Sequence, residues 1–574
     1  MKMREGEMTM KKRRLVALAT AAVMALSLAA CGGGSSSTTD TTAAGSAGEE
    51  TTGAALTPDA SSSGQQLAST IRIGDQNAEP VDGGTLVVSM PSAPRTMDPA
   101  QYTTVYESAV MYNVLDTLFI WNEDYTDVLP NLVTDYSVSD DGLSYTMTLR
   151  DDVYFQDGQY VKGRKMTAED VKYSLERSKE ESPTDRVCRD FFDYVEVLSD
   201  TEFVIHMTSP AGPFLNQLAE IGTAIVPREE VEGWGDDFGS HIVGSGPFTL
   251  EEVVTDERVV LKKNPNYWGE APHVDGVEFR IVTDSNQAIN AVQTGEVDIA
   301  MYLQGEAISR AKDAGLLLQI PGSGITYMRF NLQNGPTADP KVREALTKAV
   351  DVDAMVAGIY QYGEGTRAYQ PLTAYSWAYD PANNDLVPGY DPEGAKALLA
   401  EAGYPDGFDM TIYIASTSSR EKMAQMLQYY WGQIGVNLEI VSSTMAEWSA
   451  SVVDSWQSDV VNSYGVSWNS NPDPYGYLDK FFNTQTIHAS SNAGGYSDEE
   501  VDAKLVEAFS LTDQEEREAI YNEILQKVMG DYTGLYYAYE CRNWAASKRV
   551  NDAILRADSQ MVVTSPFNNI WLAQ

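Results

Sequence analysis

From residue 84 onward, short β-branched or apolar runs alternate with longer stretches whose apolar residues recur every three to four positions. A chain patterned this way is driven to a mixed α/β architecture, because each strand face and helix stripe must be covered by another element. Residues 84–89, 276–281, 410–414 and 437–440 read as short strands. Residues 145–149 and 153–155 read as a strand pair, bounded by Asp140-Asp141-Gly142 and Asp157-Gly158 turns. Thr167 is placed as a helix N-cap, with Asp170 at the third helical position and Val171, Tyr173, Ser174 and Leu175 behind it. Further helices are predicted over 341–360, 392–402, 420–434, 498–510 and 513–529, and there is no internal repeat.

Residues 1–30 follow a different logic. Lys11, Lys12, Arg13 and Arg14 precede an uncharged run that ends in Leu28-Ala29-Ala30-Cys31, the layout of a cleaved secretory signal. The run is shorter than the roughly 20 apolar residues that span a bilayer. Small residues ending directly on a cysteine resemble the lipobox of bacterial lipoproteins, which implies lipidation of Cys31 and a membrane anchor at the mature N-terminus. Behind it, residues 31–70 are a Gly/Ser/Thr/Ala tract too poor in apolar residues to offset the entropy of ordering. A coil of roughly 40 residues reaches about 35 Å, so the tract is expected to act as a flexible tether.

The roughly 500 residues that follow exceed what one hydrophobic core serves, so two or three domains are expected. Of 40 Lys+Arg and 83 Asp+Glu, residues 1–30 hold six and two, which leaves 34 basic and 81 acidic side chains, a formal charge of −47. That balance excludes nucleic acid and anionic lipid as preferred partners and suits a solvated, exported surface. Beyond Cys31 only Cys188 and Cys541 remain. An exported protein can join them in a disulfide, but spacing alone does not decide it. His206, His241, His273 and His488 form no His-x-x-x-His pair and there is no Cys-x-x-Cys, so neither a metal site nor a cofactor is implied. Gly-x-Ser-x-Gly is absent, and carboxylate pairs in so acidic a chain do not single out a catalytic dyad. A non-enzyme is the expectation.

Short motifs occur in a fixed order: Thr96-Met97-Asp98-Pro99-Ala100, Phe155-Gln156-Asp157-Gly158, Thr167-Ala168-Glu169-Asp170-Val171 with Tyr173-Ser174, and Gly244-Ser245-Gly246-Pro247-Phe248. They continue with Asn264-Pro265-Asn266-Tyr267-Trp268, Gly295-Glu296-Val297-Asp298-Ile299, Val342-Arg343-Glu344-Ala345-Leu346, Asp391-Pro392 with Ala395-Lys396 and Leu398-Leu399, and Ile434-Gly435-Val436. This series resembles the solute-binding proteins of ABC importers in the family of oligopeptide-, dipeptide- and nickel-binding proteins. Bland structural roles are expected for most of the motifs. Gly244, Gly246 and Pro247 suit a turn of unusual backbone angles, Tyr267 and Trp268 suit core aromatics with satisfied polar tips, and Arg343 suits an internal ion pair.

The resemblance implies a two-lobed periplasmic-binding-protein-like fold with hinge crossings and an extra subdomain. Lobe one is expected over 82–323 and 535–574, with the subdomain near 115–199, and lobe two over 324–534. It further implies capture of a solute between the lobes, a membrane permease with ATPase subunits as partners, a monomer, and a location at the outer face of the bacterial cytoplasmic membrane. On the first crossing, Tyr327 and Arg329 share one strand face, and Thr326, Met328 and Phe330 share the other. Relatives line the ligand cavity at the positions of Tyr327 and Arg329, which makes Arg329 either a fork for a peptide carboxylate or a member of an internal salt bridge.

Ser463-Tyr464-Gly465-Val466-Ser467-Trp468-Asn469-Ser470-Asn471-Pro472-Asp473-Pro474-Tyr475 resembles a second cleft segment. Peptide-binding relatives carry an aspartate three residues after the tryptophan, against the peptide's ammonium group. Here Asn471 stands there, leaving Asp473 as either a displaced countercharge or the turn residue of Asp-Pro. Ligand contacts are therefore expected from Tyr327, Arg329, Trp468, Asn471, Asp473 and Tyr536. Peptides rank first as solute. Oligosaccharides stacked on Trp468, Tyr464, Tyr475, Tyr536 and Tyr537 rank second, and metal chelates third. A receptor that binds a signal peptide without transport would share every one of these features.

Overall fold

The computed structural model describes residues 70–74, 78–184, 186–452, 460–466, 472–487, 492–556 and 560–573, with Pro321 and 460–466 described by backbone alone. Cys31, Trp468, Asn471 and His488 lie outside the described residues, as does nearly all of 1–70. Eleven strands form one sheet: β1 (Thr85–Met90), β2 (Phe248–Val254), β3 (Arg258–Lys263), β4 (Gly276–Ile281), β5 (Ile299–Ala300), β6 (Leu317–Arg329), β7 (Gly365–Arg367), β8 (Phe408–Ala415), β9 (Val436–Ser443), β10 (Val460–Val466) and β11 (Gly534–Ala546). Their spatial order is β9-β8-β10-β6-β11-β5-β1-β4-β3-β2, with β7 alongside β11. Parallel β8 and β9 are joined by the helix Ser418–Gly432, as parallel neighbours require a crossover. A separate antiparallel sheet runs Val133–Val138, Ser144–Leu149, Glu202–Met207, Phe192–Val197, and helix Ala168–Glu181 packs on its last strand.

The apolar core changes hands at β6 and β11. Ile320 and Trp544 belong to a cluster built mainly from residues 86–301 and 550–572. Further along the same strands, Met328, Phe330, Leu535 and Tyr537 join a cluster with helices Pro340–Lys348 and Ser418–Gly432. Ile325, Tyr327, Tyr536 and Tyr539 join a third cluster, with helices Tyr475–Phe482, Glu499–Ser510 and Gln514–Gly530. Two long antiparallel strands thus contribute side chains to three apolar clusters, which also touch elsewhere, as where Tyr125 stacks on Tyr375.

Much of the acidity has a local job. Asp284, Asp339, Asp351, Asp391, Asp498 and Asp513 each cap the helix that follows by accepting from its first-turn amides. The Thr167/Asp170 capping box forms as its spacing predicts. One expected helix is broken: 341–360 is two helices, Pro340–Lys348 and Val352–Ile359, because the Asp351 side chain accepts from the Ala354 amide and starts a new helix. The expected strand pair is also corrected. Ser144–Leu149 pairs with Val133–Val138 and Glu202–Met207, whereas 153–155 meets the chain only at a Tyr154–Lys165 bridge. Val153 and Phe155 alternate inward as a strand would, so composition could not reveal which segment lay opposite.

The motifs knit the first core. Gln156 Nε2 donates to the carbonyls of Gly246 (3.0 Å) and Phe248 (2.8 Å), and its backbone amide donates to Gly244 (2.8 Å). Asn264 Nδ2 also donates to Gly246 (2.9 Å), while Ser245 Oγ and Trp268 Nε1 both donate to the buried Asp116 carboxylate. Gly244 and Gly246 do not adopt left-handed angles, contrary to expectation. They are glycines because a Cβ would stand 2.3 Å and 2.8 Å from the Val114 carbonyl oxygen. Arg343 is corrected too: it forks onto the carbonyls of Thr337, Ala338 and Asp531 rather than onto a carboxylate. Cys188 and Cys541 are not joined in a disulfide. An unforeseen strand, Thr70–Ile73, pairs with Ala553–Arg556, and Arg72 there bonds Glu123 and Asp552.

Candidate functional site

β6 and β11 run antiparallel from Leu317 opposite Ala545 to Arg329 opposite Gly534, with the register slipping between Pro321 and Ile325 and again between Thr326 and Tyr327. The first slip contains Gly322-Ser323-Gly324. A Cβ on Gly322 would stand 2.9 Å from the Glu540 carbonyl and 3.2 Å from Arg542 Nε, so glycine lets the Arg542 side chain lie across the neighbouring strand. Arg542 is buried, reaches Glu540 at 3.5 Å and lies 5.9 Å from the Tyr302 ring centre. Tyr302 stands edge-on to Tyr106 (5.5 Å) and to Trp544 (5.8 Å). Its φ of 57° is left-handed, a strained choice for an aromatic residue and one that concentrates at functional sites. Burial raises the Tyr106 phenol, with Arg542 opposing it.

Beside this group, Arg420 stacks over Trp448 (5.1 Å), and burial lowers its pKa although Tyr537, Tyr360 and Glu540 lie nearby. Burial pushes the Cys541 thiol up to about 12, which makes it a poor nucleophile at neutral pH. The crossing therefore gathers the carboxylates Glu540 and Glu364 and the guanidiniums Arg420 and Arg542 among tyrosines and tryptophans. Such a mixture suits recognition of a polar, partly charged molecule, and it brings no activated nucleophile.

The residues singled out in the sequence fall in several places. Tyr327 and Arg329 do share a face, but that face is core. Arg329 is 1% exposed, donates to the Phe481 carbonyl (2.8 Å) and to Asn492 (3.3 Å), and lies over Phe482 and Phe481. Tyr327 packs against Phe481 and Tyr536, and Tyr536 shares a 2.9 Å hydrogen bond with Thr533. Tyr475 packs on Phe509 at 4.4 Å, and Tyr537 is fully buried.

Asp473 is the most committed of them. Its Oδ1 accepts from Arg517 (2.9 Å) and from the Tyr475 amide (2.9 Å), and its Oδ2 accepts from Arg517 (2.7 Å) and Asn216 (3.1 Å). Four bonds occupy the acceptor capacity of a carboxylate, so no lone pair remains for a ligand ammonium group. The turn role that Asp-Pro suggests is present, with a buried ion pair added.

Tyr106, Tyr302, Arg420, Glu540 and Arg542 were not foreseen, because each belongs to a different local pattern and only the crossing brings them together. The Gly322-Ser323-Gly324 run on a strand was the available signal of a close backbone approach.

Known proteins identify the family. A profile of the family described as "Bacterial extracellular solute-binding proteins, family 5 Middle" matches residues 127–488. The chain is 29% identical over 485 residues to the Dipeptide-binding protein of Escherichia coli (strain K12), covering 79% of this chain and 89% of that protein. It is 32% identical over 455 residues to the Glutathione-binding protein GsiB of Salmonella typhimurium, covering 76% of this chain and 85% of that one. The solved structure of HbpA2 from Haemophilus parasuis shares the fold, with a TM-score of 0.78 at 24% identity over 86% of this chain and 100% of that chain. The chain belongs to the bacterial extracellular solute-binding proteins of family 5, which hold a solute rather than transform it.

Proposed function

We propose that this protein captures short peptides between two lobes, residues 82–323 with 535–574 and residues 324–534, and delivers them to the permease of an ABC importer. A lipid on Cys31 would hold it at the outer face of the membrane, and no helix among the described residues is long and apolar enough to cross one. One observation carries the reading: a strand that contributes to several of the apolar clusters bears buried Arg542 and half-buried Glu540, beside a strained Tyr302. Hinge closure over such a point buries a ligand and couples occupancy to shape. The relatives named for a dipeptide and for glutathione support a peptide as the solute.

In this reading Arg542 offers its guanidinium to the peptide carboxylate, and Tyr106 and Tyr302 flank the backbone or an apolar side chain. Tyr536 of lobe one adds to that wall, and Trp468 and Asn471, outside the described residues, are expected to contribute ligand contacts from lobe two. Arg329, Tyr327 and Asp473 hold that wall from behind. The aromatic grouping Tyr106, Tyr302 and Trp544 favours a second reading, an oligosaccharide stacked on these rings.

A thermal-shift screen separates them. Di- to hexapeptides, cello- and xylo-oligosaccharides and nickel chelates are each added to the full chain. A true ligand at about 100 times its Kd adds about 2.7 kcal/mol of stability. Stabilisation by peptides is expected, and stabilisation by sugars alone would replace the peptide assignment.

A further inference from the structure

Glu540 and Arg542 stand two positions apart on β11, so their side chains leave the same face of the strand, about 7 Å apart at the backbone. Their heads meet at 3.5 Å, the outer limit of a hydrogen bond, and the Glu540 side chain keeps 28% of its surface exposed. A carboxylate accepts about four hydrogen bonds, and this exposure keeps acceptor positions of Glu540 within reach of a donor from solution. Asp473 differs, because Arg517, Asn216 and the Tyr475 amide take its acceptor positions inside the protein.

The charges around Glu540 come in both signs. Burial first, and the Glu540 and Glu364 carboxylates after it, push the Tyr360 phenol and the Cys541 thiol each up to about 12, against bonds from Thr326 and Thr366 and the charge of Arg542. Carboxylates that penalise a phenolate or thiolate stabilise a cation at the same point. Arg420 from helix Ser418–Gly432 also feels the Glu540 charge, and Arg542 faces it from its own strand. Two carboxylates and two guanidiniums in one place suit a molecule that carries both charges over an ion of either sign. The rings of Tyr302 and Tyr106 stand beside them, and aromatic faces attract ammonium groups.

We propose, on the peptide reading above, that Glu540 receives the α-ammonium group of a dipeptide whose carboxylate rests on Arg542, so that one strand reads both ends of the solute. Two extended residues span about 7 Å, the separation of the two positions along β11. A dipeptide replaces the marginal Glu540–Arg542 contact with two charge-assisted hydrogen bonds, whereas a longer peptide reaches only one of the two side chains with a terminus.

The test is calorimetric titration of Ala-Phe and of N-acetyl-Ala-Phe into the full chain and into Glu540→Gln. Acetylation removes the ammonium charge, so it should weaken wild-type binding about 10- to 150-fold. E540Q should lose affinity for the free dipeptide alone and discriminate little between the two forms. Should E540Q not fold, Glu540→Asp draws the carboxylate back by one carbon and is read the same way, as a loss confined to the free dipeptide. Glu364→Gln is the rival arm. The Glu540 assignment is overturned if acetylation costs the wild type nothing, if it costs E540Q as much as the wild type, or if E364Q is the variant that stops discriminating. It is also overturned if alanine peptides of three to six residues ending in Phe bind and Ala-Phe does not. The peptide reading survives each of these results, whereas binding by none of the peptides overturns both.

Discussion

Replacing Arg517 with alanine is expected to destabilise the protein by about 3–5 kcal/mol, the cost of stripping a buried carboxylate of its countercharge. The side chains of Arg517 and Asp473 are 3% and 2% exposed and meet at 2.7 Å. Arg517 also donates to the Ala508 carbonyl (3.1 Å) and the Tyr521 hydroxyl (3.1 Å) and lies over the Trp377 ring. One guanidinium thus ties helix Gln514–Gly530 to helix Glu499–Ser510 and to the start of helix Tyr475–Phe482. Urea unfolding measures the loss, and a double-mutant cycle with Asp473→Asn isolates the pair. The double variant should recover part of the loss, because neutralising both partners removes the stranded charge. Asp473 follows directly on the segment that holds Trp468 and Asn471, so R517A is also expected to weaken ligand binding. Wild-type stability in R517A would show that the pair is not fully buried in solution.

The second large effect belongs to the turn before β2. Gly244→Ala would place a Cβ 2.3 Å from the Val114 carbonyl oxygen, 2.7 Å from Leu115 Cδ2 and 3.0 Å from Leu115 Cα. Two of these are backbone atoms held in the first core, so relief requires moving the chain. A loss of about 3 kcal/mol or more is expected, at or beyond the upper end of ordinary overpacking. Gly432→Ala is the control. That glycine ends helix Ser418–Gly432 with open space around it, so alanine should leave stability unchanged or raise it by about 0.5 kcal/mol. A G244A protein as stable as G432A would mean that the turn yields easily and that the Gln156 hydrogen bonds do not hold it.

These two sites also show what sequence reasoning reaches. Local chemistry was legible: the Thr167/Asp170 box, the helices expected over 498–510 and 513–529, and β4 at its full bounds all depend on residues within a few positions of one another. The ordered motifs pointed to the family that the comparisons show. What depended on distant partners was not legible. The glycines of Gly244-Ser245-Gly246 signalled a constraint, but its cause, a carbonyl 130 positions earlier, is visible only in three dimensions. Phe155 has the alternation of a strand whose neighbour is not adjacent in sequence. At the candidate site, Arg329 has the composition of a carboxylate anchor, yet Phe481, Phe482 and Asn492 enclose it. Arg542 and Tyr302 are separated by 240 positions and meet only because β5 and β11 are neighbours in the sheet.

The most direct measurement is calorimetric titration of a stabilising peptide, and of the same peptide amidated at its C-terminus, into the wild type and into Arg542→Gln. A charge-assisted bond from Arg542 to the carboxylate is worth about 1.5–3 kcal/mol. Amidation should therefore weaken wild-type binding by about 10- to 150-fold and leave R542Q nearly indifferent. Equal loss on amidation in both proteins would contradict the account by placing the carboxylate away from the crossing.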